Sequence, residues 1–526
     1  MMTARIDQSP GCVDLLVDLH VRTGHGEHIA LVEHGSLGRR TLTYKQLQAL
    51  TIELSHDLAI SLAGSLTQRR IALVGGGTLE IICYWLAAMR SGHLPLLVHP
   101  DLPSDQYPIL WECFDPALIL QDRSARHPAG LQCQRVDELL ASLPDRRLKV
   151  AEVGAFAGSF DLRPALVLAT SGSTGRAKLC VHAHRSFWEF ERTVTRKMWG
   201  ITRDDKVLGS SGPYFSFGLQ GVHVPLSVGA TAVLLPEWKN HTEFLDTIES
   251  EAVTAFMAVP TLFHLMMSRA QRPYDLSSLA LSLSAGESLP TIIRSRWEHY
   301  SGSQMLDSIG TTETFAPYLS ETRNTDNCLE RVEGFEYAET AVDADLDDIP
   351  PSEQALTFAL SKGCMMLDYL VSGSSAAHAR PDAPFLTKDV FVRASGGFRF
   401  LSRDSERVKV AGQWVCPQQL EEYLLADHRV ERAAALPITT PEGLIRLRAY
   451  IVLGACGVSG EDVATALMRR IHLELKPKAL RPDRIDVVQH IASTPSGKLK
   501  RQDLHAHIPT LESPLVRAGV MLFNVE

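Results

Sequence analysis

The chain has no CxxC pair, no leader-like start, no apolar run long enough to cross a bilayer and no surplus of positive charge. Each absence removes a class of protein. Nine cysteines, an odd number scattered from Cys12 to Cys456, fit neither a disulfide framework nor a zinc site and point to reduced thiols in a cytoplasmic chain. The start, MMTARIDQSPGCVDLLVDLH, lacks the basic and apolar regions of a secretory signal, and no membrane role is expected. A net charge of -9 offers no basic field for nucleic acid or anionic lipid. The expected partners are small molecules or other proteins, and the expected compartment is the cytosol.

What is there is length and order. At 526 residues, 45% hydrophobic and 21% charged, the chain is large enough for several cores and more than one domain. The most informative stretch is LVLATSGSTGRAKLCVHAH, residues 166–184. An apolar run, Ala165 to Ala169, predicts a buried strand that empties into a loop of small hydroxyl residues and glycines closed by Lys178. Gly172 and Gly175 let backbone N–H groups approach an anion, Ser171, Ser173 and Thr174 add hydroxyl donors, and Lys178 adds a positive charge. Leu179 to His182 predicts a second strand, so the element is a hairpin. A Walker A loop, GxxxxGK[ST] leading into a helix, is a different object. On this loop alone, a phosphate cradle and a plain surface hairpin are both open readings.

Elsewhere strands and helices alternate. A short strand around Ile29 to Glu33 precedes a helix in TLTYKQLQALTIELSHDLA, with Thr43 as N-cap. RIALVGGG, LEIICYWLAAMRSG and LPLLV read as strand, helix and strand, which announces an α/β fold. The triglycine at 75–77 does not fit a dinucleotide fingerprint and is read as helix-to-sheet packing. The alternation continues at Pro108 to Gln121 and Gln134 to Leu140. SFWEFERTVTRKMW reads as a helix with core aromatics. Phe215, Phe217 and Gly218 fall where a strand gives way to a helix, a place for ligands in α/β sheets or for ordinary core aromatics. Strands at ATAVLLP, AFMAVP, LALSLSA and SQMLDSI alternate with helices at Thr242 to Glu251 and Pro260 to Arg269.

Glu287 and Glu313 each follow a strand beside glycine and hydroxyl residues, which suits a nucleotide's base and its metal, or else helix capping. Residues 320–384 read as a smaller β subdomain, and charge peaks at SRDSER, where a domain boundary is expected. Beyond it, AAALPI, RAYIVLG and EDVATALMRRIHLELK predict a small α+β domain. STPSGKLKRQDL presents Lys498 on a turn, or is a solvated basic tail. His182 and His184 share a strand face without a third ligand nearby, and are read as structural. Glu321 to Asp326 reads as solvated loop.

In this order the motifs resemble the adenylate-forming superfamily of acyl-CoA synthetases, adenylation domains and luciferases. TSGSTGRAK is similar to its phosphate loop, DSIGTTE to its Tyr/Asp-Gly-x-Thr-Glu motif, FLTKD to its Thr-Gly-Asp, SRDSERVKVAG to its hinge stretch and TPSGKLKR to its catalytic-lysine motif. PYFSFGLQ, AVPTLFHLMM, LSAGESLP and MLDSIGTTETFAPYLS look like the benzoate-CoA ligase branch. The resemblance implies an α/β fold: a large N-terminal domain, 1–404, of layered sheets plus a small β subdomain, then a small mobile α+β domain, 405–526. It implies ATP, Mg2+ and coenzyme A, with an aromatic acid such as benzoate, anthranilate or salicylate becoming an acyl-AMP and then a thioester. A carrier protein as thiol acceptor, a non-catalytic nucleotide-binding relative and a homodimer are alternatives within it.

By the same resemblance, Thr170, Ser171, Gly172, Ser173, Thr174 and Gly175 hold phosphates, with Lys178, Thr312, Glu313 and Lys498 as catalytic residues. Glu313 holds magnesium, and Lys498 bridges the acid and the α-phosphate. Asp389 and Arg403 meet the ribose. Gly286, Glu287, Asp307, Ser308, Ile309, Gly310 and Thr311 bind the rest of ATP, while Phe215, Phe217, Gly218, Ala285 and Ala316, with Ile309 and Gly310, flank the aryl ring. Ser405 is the hinge, and Lys409, Gly412, Gln413 and Trp414 line a thiol tunnel. The chain departs from the pattern at Ala177, Lys388, Ser402, Ser405 and Gln419, and Ala316 stands where benzoate ligases tend to carry histidine.

Overall fold

The computed structural model describes residues 11–62, 68–125, 133–136, 162–170, 178–324, 327–342, 354–370, 384–440, 443–454, 458–492 and 504. Apolar runs such as Arg70–Val74 and Leu94–Val98 are buried almost throughout, which suits strands covered on both faces and joined by crossover helices. They lie in a seven-stranded sheet ordered 368–370, 178–183, 164–170, 94–98, 70–74, 118–121, 133–135, parallel except where Lys178–Ala183 meets its two neighbours. A nine-stranded sheet is ordered 330–331, 319–320, 304–309, 281–285, 255–258, 206–209, 231–234, 29–35, 38–43, parallel at its centre and antiparallel at both edges.

The largest core cluster joins both sheets through the helices Leu79–Arg90 and Ser216–Val228. A second core lies under the helices Thr242–Glu251, Pro260–Arg269 and Thr291–Ser301 on the outer face of the nine-stranded sheet. Another backs the seven-stranded sheet against Tyr107–Phe114. The layering is therefore helix, sheet, helix, sheet, helix. An antiparallel sheet built from 335–341, 355–362, 389–394 and 397–403, with 385–386 beside it, forms the β subdomain. After Arg403 the chain forms a hairpin, 408–410 with 413–415, then the helix Pro417–Leu425 and a three-stranded sheet with its own core. This unit meets the first half of the helix Thr291–Ser301: the Thr291 N–H donates to Glu422 at 2.9 Å, and Arg296 donates to the Leu425 and Ala426 carbonyls at 3.3 and 2.8 Å.

Most predicted elements stand where expected, including Thr43 as an N-cap in a reciprocal capping box with Gln46. Four differ. Ile29–Gly35 turns back as a second strand, Gly38–Thr43, whose polar sequence hid an edge strand. Thr291–Ser301 is a helix that its charged sequence did not suggest. Asp368–Leu370 leaves the β subdomain to pair with Lys178–Ala183. The triglycine does not pack a helix on a sheet: a Cβ on Gly75, Gly76 or Gly77 would come within 2.4 to 2.8 Å of Asp122, the Pro236 carbonyl and Pro213 respectively. Neighbouring loops need that space. Of the alternation expected at Gln134 to Leu140, the strand Cys133–Arg135 is seen, and residues 137–140 lie outside the described residues.

Candidate active site

The hairpin that drew attention in the sequence closes on a paired residue couple, Thr170 opposite Lys178, at the open end of two antiparallel strands. Ser171, Gly172, Ser173, Thr174 and Gly175 lie outside the described residues, as does Lys498. Lys178 holds its Nζ 5.1 Å from the ring centroid of Tyr369. Tyr369 sits on the neighbouring strand, opposite Cys180, and its hydroxyl donates to Glu313 Oε1 at 2.7 Å. Burial, reinforced by Glu313, pushes the phenol's pKa well up, so the hydroxyl keeps its proton and donates it in a hydrogen bond. Glu313 comes from the other large sheet, on a single 3-10 turn, Thr312–Thr314, after the strand Gln304–Ile309. The Met366 N–H binds the Glu313 carbonyl at 2.8 Å. A cation and an acid from two sheets thus meet through a tyrosine that sequence reading missed. Its signal lay in LDYL, a short strand inside the least legible part of the chain.

The loop after Ile309 is compact. Gly310 is needed there, because a Cβ would lie 3.0 Å from the Pro317 Cα. The Thr311 N–H donates to Thr314 Oγ1 at 3.1 Å, and the Thr314 hydroxyl reaches the Thr311 and Ala316 carbonyls. Ala316 is 1% exposed.

Asp389 forms a second focus. It is buried, takes Arg403 Nε at 3.1 Å on Oδ1 and the Tyr318 hydroxyl on Oδ2. Tyr318 was also missed; it follows Pro317 in a run that reads as loop. Lys388, where the family motif has glycine, carries φ 59°, so the backbone keeps the glycine conformation without the glycine.

Several expected ligand residues are engaged elsewhere. Glu287 Oε2 accepts from the Thr261 N–H at 3.1 Å and its hydroxyl at 2.7 Å, capping the helix Pro260–Arg269. Its other expected role, helix capping, is the one the structure displays. Ser308 is buried, with its hydroxyl 2.7 Å from Ser320 Oγ and its backbone in a strand paired on both sides. Asp307 has Oδ1 out of contact with solvent; burial, with Glu321 adding and Arg294 opposing, moves its carboxyl up to about 7. Gly286, with φ 87°, ends the strand Leu281–Ala285, whose last residue, Ala285, is 9% exposed.

Phe215 opens the helix Ser216–Val228 as its N-cap residue; Phe217 packs on the main core and Gly218 is buried. A small cleft beside them is lined by Gly218, Tyr214, Gly209, Gly76 and Trp238. Of the residues expected around the aryl ring, Gly218 alone lines it. Ser405 lies in a 3-10 turn, Asp404–Glu406, and the Asp404 N–H binds the Lys388 carbonyl at 2.9 Å. In the hairpin that follows, Ala411 and Gly412 form a turn with positive φ at both residues, 50° and 88°. Lys409 and Arg407 lie 5.9 and 5.1 Å from the Trp414 ring; Gln413 begins the second strand. His182 and His184 are buried and separate: His184 Nδ1 takes the Cys12 N–H at 3.1 Å, and no cluster of metal-ligating side chains exists among the described residues.

Comparison with known proteins gives the same frame. The AMP-binding enzyme family matches residues 20–343. A 4-hydroxybenzoate–CoA/benzoate–CoA ligase of Rhodopseudomonas palustris is 27% identical over 92% of both chains. In fold, the chain resembles an anthranilate CoA ligase solved with anthranoyl-AMP, with TM-score 0.80 and 20% identity over 96% of this chain and 98% of the other. It also resembles a benzoate CoA ligase from Burkholderia xenovorans LB400, with TM-score 0.76 and 22% identity over 94% and 99%. With the family match spanning more than half its length, and its strands, turns and acids laid out as above, the chain belongs to the AMP-binding enzymes.

Proposed function

We propose that this enzyme is an ATP-dependent aryl acid–coenzyme A ligase that activates benzoate or an ortho-substituted relative such as anthranilate. The observation that carries the reading is the meeting of Lys178, Tyr369 and Glu313 at the mouth of the hairpin, in a chain whose relatives are named for this chemistry. The carboxylate oxygen attacks the α-phosphorus of ATP and pyrophosphate leaves. The thiol of coenzyme A then attacks the acyl carbon, losing its proton, and AMP leaves. An anion attacking an anion needs positive charge where negative charge grows. Lys178 with the loop Thr170 to Gly175 supplies it at the β- and γ-phosphates, and Lys498 at the α-phosphate.

Glu313 fits magnesium: one hard carboxylate oxygen, with no all-protein cage among the described residues, suits an ion held by one or two carboxylates, substrate phosphates and water. Bound there, the ion would neutralise phosphate charge. Asp389, oriented by Arg403 and Tyr318, receives the ribose hydroxyls. The segment 405–526 turns about Ser405 between the two steps, exchanging Lys498 for the hairpin of Lys409, Gly412, Gln413 and Trp414 at the thiol tunnel. Ala316, in place of histidine, leaves room for an ortho substituent. Eight free cysteines among the described residues support action in the cytosol.

The test is pyrophosphate release from ATP with benzoate, anthranilate and salicylate, with and without coenzyme A, and products analysed by mass. A coenzyme A thioester is expected. An adenylate that accumulates regardless of coenzyme A would assign a carrier-protein acceptor instead, and no turnover with any acid would sink the ligase reading. Lys498→Ala should abolish adenylate formation while ATP still binds.

A further inference from the structure

We propose that Phe315, with the two imidazoles that enclose it, His182 and His223, is a positioning residue: the three rings hold a strained turn that fixes the carboxylate of Glu313. The proposal rests on the functional reading above, in which Glu313 serves the nucleotide and its metal.

The turn itself is unusual. Phe315 has φ 57° and ψ −52°, and the Ala316 N–H reaches back to the Thr314 carbonyl at 2.6 Å. This is a γ-turn with positive φ, the rare and strained form, which a bulky residue keeps only where its surroundings enforce it. The surroundings here are rings. Phe315 is 2% exposed. Its face stacks on His223 at 5.2 Å with 17° between planes, and His182 lies 5.1 Å away at 41°. Phe187 at 4.9 Å and Phe190 at 6.0 Å meet it edge-on. Aromatic pairs are attractive beyond their buried area, and several acting on one ring together hold the strained turn.

The imidazoles behave as flat apolar faces. Both are essentially unexposed; the ring nitrogens of His223 have no hydrogen-bond partner among the described residues, and His182 faces the Thr312 backbone. Burial lowers both pKa values to about 3, which keeps the rings neutral. The position of His182 gives the cage its reach: it lies alongside the Thr312 backbone, on the strand that begins with Lys178. The far side of the turn is tied by the Thr314 hydroxyl to the Thr311 and Ala316 carbonyls, and the Glu313 carbonyl is tied to the Met366 N–H. Glu313 is therefore held from both ends, in register with the strand that carries the loop cation. Loosening the cage displaces the carboxylate rather than merely softening the core.

The test uses the full chain with Mn2+ and a non-hydrolysable ATP analogue as probes, reading free Mn2+ by electron paramagnetic resonance alongside melting temperature. His223→Ala should weaken Mn2+–nucleotide binding about 10–100-fold, the range for residues that orient a metal ligand. His223→Phe, which keeps a flat ring, should restore it to near the wild-type value. Phe315→Gly accepts the positive φ but empties the place of the ring; measured below its own melting temperature, it should lose the same affinity. If His223→Ala and Phe315→Gly bind as tightly as wild type while melting earlier, the rings are only core and the proposal is overturned. Failure of His223→Phe to rescue would also overturn it. Wild-type protein that binds neither probe would overturn the functional reading, and this proposal with it; tight wild-type binding with unchanged variants would remove this proposal alone.

Discussion

Glu313 and Asp389 are both acids of the candidate site, and the protein treats them oppositely. Asp389 is 1% exposed and neutralised from within by Arg403, with the Tyr318 hydroxyl on its second oxygen. Glu313 is partly exposed and, among the described residues, its carboxylate receives the neutral hydroxyl of Tyr369. A buried carboxylate must be compensated by the fold before any ligand arrives. An acid at the mouth of a site can keep its charge available for one. Asp389 is thus a carboxylate fixed by the fold, and the proposed function gives Glu313 the part of a charge kept for a cation.

The sharpest way to break that contrast is to neutralise each acid in turn. Glu313→Gln keeps an oxygen for Tyr369, so stability should stay within about 0.5 kcal/mol of wild type, while adenylate formation falls by about 100-fold or more. A large loss of melting temperature would mean that Glu313 is structural after all. Asp389→Ala leaves the buried Tyr318 hydroxyl without its acceptor and should cost about 1–3 kcal/mol of stability, seen in denaturant unfolding, together with ATP binding.

Asp307 adds a pH axis. Its carboxyl is raised to about 7 from a usual 3.8, so between those values the folded state holds a proton that the unfolded state has lost. Its contribution is full below about pH 4 and is lost as pH rises toward 7. Asp307→Asn should shrink the fall in melting temperature between pH 5 and 8; an unchanged pH profile would remove Asp307 as its source. The smallest effect is expected at Lys388. Lys388→Gly relieves a positive φ but loosens the unfolded chain, for a net gain under about 1 kcal/mol. A loss of stability would show that the lysine side chain has a role that its backbone does not reveal.

Much of this was legible in the chain before folding. The hairpin around Lys178, the crossover unit at 70–98 and the helix Pro260–Arg269 follow from apolar periodicity and turn residues, which act locally. The acids could be found as strand-end residues, but their partners could not. Tyr369 lies 56 positions from Glu313, and Tyr318 lies 71 from Asp389. No local pattern encodes such pairs, because each depends on which strands the sheets bring side by side. The same limit explains Glu287 and Ser308, whose side chains turned out to be committed to Thr261 and Ser320.

The sequence by itself determined the order of elements, the loop chemistry and the types of charge available, since these depend on residues adjacent in the chain. Tertiary structure alone decided which acid is buried and paired, which is left open, and where a phenylalanine is forced into a positive φ between two imidazoles. Burial and dielectric are properties of the packed interior, and they are set only when distant segments exclude water together.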